Sequence, residues 1–162
     1  MTTPAPVPDS FQATSASKKR LLWKWSLGAT IILLLYLMWQ CGSGLMEARS
    51  LSNEAVKTFH EELNNNRFDQ IYNEAADGFH SGGKREELIK FLQAVHGKLG
   101  DAGEFHLRNV NVNATVTATF ITTVYATNFT HGLAVETFTW VKSQGRVRLY
   151  GYNIQSNALV LN

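Results

Sequence analysis

The sequence predicts an α+β protein in which one N-terminal transmembrane helix precedes three helices packed on a curved four-stranded antiparallel sheet, cone-like in outline. Three observations carry this. Trp25 to Met46 contains no charged residue. From Arg49 to Leu99 apolar residues recur at intervals of three and four, and after Asp101 the interval drops to two as β-branched and aromatic residues take over.

The membrane span is expected over 21–46. Roughly 20 apolar residues cross about 30 Å of hydrocarbon at about 1.5 Å per residue. Lys24 sits at the edge, where its stem can snorkel to the headgroups. Trp23 and Trp25 at one end, with Tyr36 and Trp39 at the other, are placed as membrane-interface aromatics. Lys18, Lys19, Arg20 and Lys24 flank the first end against Arg49 beyond the second, so the positive-inside bias puts the N-terminus in the cytoplasm and the C-terminal domain in the periplasm. The apolar run is long for a signal peptide, and Gly42-Ser43-Gly44 is a weak cleavage site. Before the span, residues 1–20 hold all three prolines (Pro4, Pro6, Pro8) among Ser, Thr and Ala, which predicts a disordered cytoplasmic tail.

Charge supports the same division. Met1 to Lys24 has four basic residues and one acidic, whereas Glu47 to Asn162 has eleven basic and twelve acidic. The interspersed charges of the outer domain, 47–162, lack the basic patch that nucleic-acid binding requires. The single cysteine, Cys41, lies in the apolar run, so the outer domain has no disulfide and depends on an ordinary core.

In the outer domain, Leu51, Ala55, Phe59 and Leu63 recur every four residues and predict a first helix from Arg49 to Asn64, ended by Asn64-Asn65-Asn66. A second, with Phe68, Ile71, Tyr72 and Ala75 on one face, stops near Asp77-Gly78. The third follows Gly82-Gly83, carries Glu86 and Glu87 in its first turn, aligns Leu88, Phe91, Leu92, Val95 and Leu99, and stops at Gly100. Strands are expected over about 104–112, 115–128, 133–141 and 147–155. In the second, Val116, Ala118, Phe120, Val124 and Ala126 face one way, and Thr115, Thr117, Thr119, Thr123 and Thr127 mostly the other. That threonine face is a candidate dimer surface, solvated threonine being the ordinary alternative.

This order of elements, with FDQIYNEA at Phe68 to Ala75, VHGKLG at Val95 to Gly100, AVETFTW at Ala134 to Trp140 and GYNIQSNAL at Gly151 to Leu159, resembles small bacterial membrane-anchored proteins of unknown function. Their outer domain is similar to the cystatin-like cone superfamily typified by nuclear transport factor 2. The resemblance implies a sheet curled around the helices and an open cone, and it implies no activity or catalytic residue.

Among chemistry-bearing residues, Gly78 to Arg85 nearly spells a phosphate-binding loop, but Arg85 replaces the Mg²⁺-binding hydroxyl and a helix precedes it. The five histidines, His60, His80, His96, His106 and His131, show no metal-ligand spacing; His60 and His96 fall near helix ends, where solvated histidine is ordinary. No metal or cofactor is expected. Glu136 shares a strand face with Ala134, Phe138 and Trp140 and would enter the cone as a candidate general base or ligand-orienting group. Its alternative is a solvated acid paired with Arg146 or Arg148 across the hairpin. Tyr150 and Tyr152 share a face with Ile154 as core or rim aromatics. The expected role is a single-pass, membrane-integral interaction or scaffold protein, non-enzymatic, associating with itself or an envelope protein. The alternative is a pocket for a small apolar ligand, isomerase- or dehydratase-like, formed by Phe120, Glu136, Phe138 and Trp140.

Overall fold

A computed structural model describes residues 44–160 except 144. The expected tail and nearly all of the expected span, with its interface residues Lys18, Lys19, Arg20, Trp23, Lys24, Trp25, Tyr36 and Trp39, lie outside these. Among the described residues no helix is long and apolar enough to cross a membrane. The chain runs α1 (44–64), α2 (Phe68–Glu74), α3 (Asp77–His80), α4 (Arg85–Leu99), β1 (Ala102–Ala114), β2 (Thr119–Phe129), β3 (Gly132–Ser143), β4 (Arg146–Gln155) and α5 (Asn157–Val160). The strands form one antiparallel sheet in sequence order, β1-β2-β3-β4, so the α+β class and the antiparallel meander hold.

Each helix ends where its residues dictate. Asn66 takes a positive φ of 58° after α1. Asn64, the last residue of that helix, also clamps the first strand: its side-chain amide donates to the Ala102 carbonyl at 2.9 Å and accepts from the Ala102 N–H at 2.8 Å. The second expected helix breaks in two, because Ala75 and Ala76 are extended and Ala76 N–H donates to Leu149 O at 2.7 Å; Asp77 then opens a separate turn, α3. Gly100 closes α4 with φ of +73°, and the adjoining β2–β3 turn docks there through His131 N–H to Leu99 O. A Cβ on Gly100 would lie 2.8 Å from Thr130 Cβ, so both conformation and space call for glycine.

Two expected faces are placed differently. The buried residues of α1 are Ala48, Ser52, Val56, Phe59, His60, Glu62 and Leu63, with Leu51 and Ala55 only half-buried at their flank. In β2 the core face is Ile121, Thr123, Tyr125, Thr127 and Phe129, opposite to Phe120 and Val124. The expected threonine dimer surface is therefore corrected: Thr123 and Thr127 are fully buried because each hydroxyl finds a partner inside, Trp140 Nε1 and Glu136 respectively. Thr115 to Ala118 is a turn held by the Thr115 hydroxyl and not the start of a strand, which leaves Val116 at its tip in solvent.

Between helices and sheet lie Phe59, Leu63, Ile71, Leu92, Leu99, Ile121, Tyr125, Phe138 and Trp140. Phe138 and Trp140, two residues apart on one face of β3, stack with centroids 5.3 Å apart. The Asn64 clamp gives a test. Asn64→Ala leaves two part-buried backbone groups of Ala102 unpaired and should cost about 1–3 kcal/mol, read by urea denaturation.

Candidate functional site

Glu136 points into the core from the middle of β3 and is 0% exposed. Burial alone would be costly for a carboxylate, so its partners decide whether the position is tolerable. They come from three directions. From α1, His60 Nε2 lies 2.8 Å from Oε2, the ring nitrogen donating; from β2, the Thr127 hydroxyl donates to the same oxygen at 2.5 Å; from β4, the Tyr152 hydroxyl donates to Oε1 at 2.7 Å. Three of about four acceptor sites on the carboxylate are thereby used.

Strand geometry explains the set. Glu136 is paired directly with Tyr125 and Ile154, and Thr127 and Tyr152 stand on the diagonals of the same face. A bulge in β4 makes this possible. The register passes from Trp140↔Leu149 to Thr139↔Gly151, so Tyr150 is the extra residue. Leu149 and Tyr152 then both face the core, while Tyr150, 40% exposed, packs its ring on Phe120 at 5.1 Å. The expected shared face of Tyr150 and Tyr152 is corrected by that insertion.

His60 is 4% exposed, and its other ring nitrogen, Nδ1, has no hydrogen-bond partner. The edges or faces of Phe59, Phe105, Phe129 and Phe138 surround the ring, with centroids 5.1–6.2 Å away. The expectation of a solvated histidine is thus overturned by the rotation of the α1 stripe. Its detectable signal was the spacing Ser52-Val56-His60, which places the ring one turn below Val56 on the same face. Glu136 does not pair across the hairpin: the register sets Arg146 opposite Ser143 and Arg148 opposite Val141, at the far end of the strand.

The four expected pocket residues separate into three environments. Glu136 and Phe138 are fully buried in the packed core. Phe120 lies on the opposite sheet face. Trp140 lines a cavity of about 180 Å³ bounded by α1, α2, β3 and β4, whose lining includes neither Glu136 nor Phe138. Among the described residues no group of three or more His, Cys, Asp or Glu is arranged to hold a metal ion. His96 instead bonds Asp101 at 2.9 Å, and His131 Nδ1 donates to the Lys98 carbonyl at 3.0 Å.

Two phenols feel the interior. Burial, then the charge and hydrogen bond of Glu136, hold Tyr152 well above its ordinary 10.0. Tyr125 is pushed up to about 12 by burial, against a lowering hydrogen bond with Thr123, and its hydroxyl donates to Asn53 Oδ1 at 2.7 Å. A raised phenol pKa means that the folded state keeps its proton longer than the unfolded chain. Stability is therefore intact below about pH 10 and lost as pH rises beyond it.

No protein-family model matches the chain, and no curated protein does. Among solved structures, that of Bdellovibrio bacteriovorus Bd1075 matches with 13% sequence identity and a TM-score of 0.45, over 67% of this chain and 41% of that one. The chain spans less than half the length of that protein, and the likeness assigns it nothing.

Two expectations test the network by urea denaturation. Glu136→Ala strands three buried donors and should cost about 3–5 kcal/mol, whereas Tyr152→Phe should cost only about 1–2 kcal/mol. Repeating the measurement at about pH 7 and about pH 11 should show a smaller alkaline loss for Tyr152→Phe than for the parent, with Tyr125 responsible for part of what remains.

Proposed function

We propose that the chain is a single-pass inner-membrane protein, N-terminus in the cytoplasm, whose periplasmic domain of the nuclear-transport-factor-2-like cone type is a non-enzymatic interaction module. The observation that carries the interaction reading is the outer face of the sheet. Its two central strands present Phe120, Thr122 and Val124 beside Val135, Thr137, Thr139 and Val141, seven side chains without a charge. Depletion of charge with retained β-branched and aromatic surface is the composition of an interface centre. At the candidate pocket the interior offers less: Glu136 is committed to three internal donors and does not line the cavity beside Trp140.

The span rests on the length of the uncharged run and on the lysine and arginine bias around it. Support for the cone form comes from the bulges in β1 against β2 and in β4 against β3, since such insertions bend and twist a sheet. The partner is a second copy of the chain or another envelope protein.

A photo-cross-linking residue placed at Thr137 or Thr139 of the full-length chain in cells tests the face. Adducts at twice the chain mass identify self-association, adducts of other mass an envelope partner, and Val124→Lys should abolish either while leaving the melting temperature within about 2 °C. Absence of adducts at both positions would sink the interaction reading. Alkaline phosphatase fused at the C-terminus should be active, as that enzyme works only outside the cytosol.

A further inference from the structure

The domain buries a second acid under different terms. Glu62, on α1, is 6% exposed, yet its side chain makes no hydrogen bond or ion pair with any described residue. It lines the 180 Å³ cavity together with Phe59, Ile71, Trp140 and Leu149. Its carboxylate is largely withdrawn from water without the donors that Glu136 has in His60, Thr127 and Tyr152. The consequence is legible in its titration: burial first, then the charges of Glu74 and Glu61, raise its pKa above the ordinary 4.5, with Arg67 acting the other way.

We propose that this cavity binds a small organic ammonium ion, with Glu62 as its counter-charge and Phe59 and Trp140 as aromatic walls. Three observations select that chemistry. The unpaired group is an acceptor, so the ligand supplies the donor. Glu74 on the same lining adds negative charge, held by Gln70 Nε2 at 3.0 Å, which favours a cation over a neutral donor. Apart from Thr58 and Arg148 the remaining wall is apolar and aromatic, which suits an alkyl or aralkyl body and a cation–π contact. Arg148, also on the lining and exposed, offsets one of the two acids, so Glu62 and Glu74 together leave the lining one negative charge in excess. The volume falls below the roughly 300–1,000 Å³ of pockets for drug-sized ligands, so the guest is small.

Benzylamine is a fitting probe, with benzyl alcohol as its uncharged counterpart, and the readout is the Trp140 indole N–H resonance of the isotope-labelled full-length chain in micelles. Benzylamine should shift it saturably, and both benzyl alcohol and the Glu62→Gln variant should reduce apparent affinity about tenfold or more. Glu62→Gln should also raise the melting temperature of the ligand-free chain at about pH 8, because the raised carboxyl withdraws stability as pH climbs past its unfolded value. A shift that does not saturate, equal binding of the alcohol, or undiminished binding by Glu62→Gln would each overturn the proposal. Should Glu62→Gln not fold, Ala55→Met, which fills the cavity from α1, decides: loss of benzylamine binding supports the site and retained binding refutes it.

Discussion

A carboxylate at the centre of a packed core sets the terms for the elements around it. Glu136 can be buried only if hydrogen-bond donors reach it, and they arrive from α1, β2 and β4 at once. Each donor constrains its own element. His60 sets the rotation of α1 over the sheet, Thr127 requires the core face of β2 to be the threonine-bearing one, and Tyr152 requires the bulge that turns Tyr150 outward. A hydrophobic residue at 136 would impose none of these, because apolar packing is tolerant of small rotations where hydrogen bonds are not.

The same requirement separates interior from surface. With Thr123 and Thr127 drawn inside by Trp140 and Glu136, the side chains left outward and accessible on β2 include Phe120, Thr122 and Val124. An uncharged outer sheet face is thus the other side of a polar core. The two are linked by the strict alternation of a strand, in which moving one residue inward moves its neighbours outward.

The two buried acids of this domain form a natural contrast. Glu136 is sealed and satisfied, a structural device. Glu62 is nearly as buried, faces a cavity and has no donor among the described residues. An interior acid without internal compensation is where a domain of this kind has binding energy to offer.

The succession of helices and then a four-stranded meander, the stop of α1 at three asparagines, the stop of α4 at Gly100 and the alternation that aims Glu136 inward beside Phe138 and Trp140 were determined by the sequence itself, whereas the break between α2 and α3 and the short α5 were not. The former depend on neighbours a few residues away and on backbone conformations only some residues adopt. The rotation of α1 was only faintly legible in the Ser52-Val56-His60 spacing, because His60 looks solvent-bound until Glu136 is placed beside it. The β4 bulge was not legible, as it appears only when β4 is laid against β3. The site itself is of that second kind: His60 and Glu136 are 76 residues apart in the chain. The burial of Glu136 is tolerable because donors stand opposite it in space, and that is a property of the assembled fold.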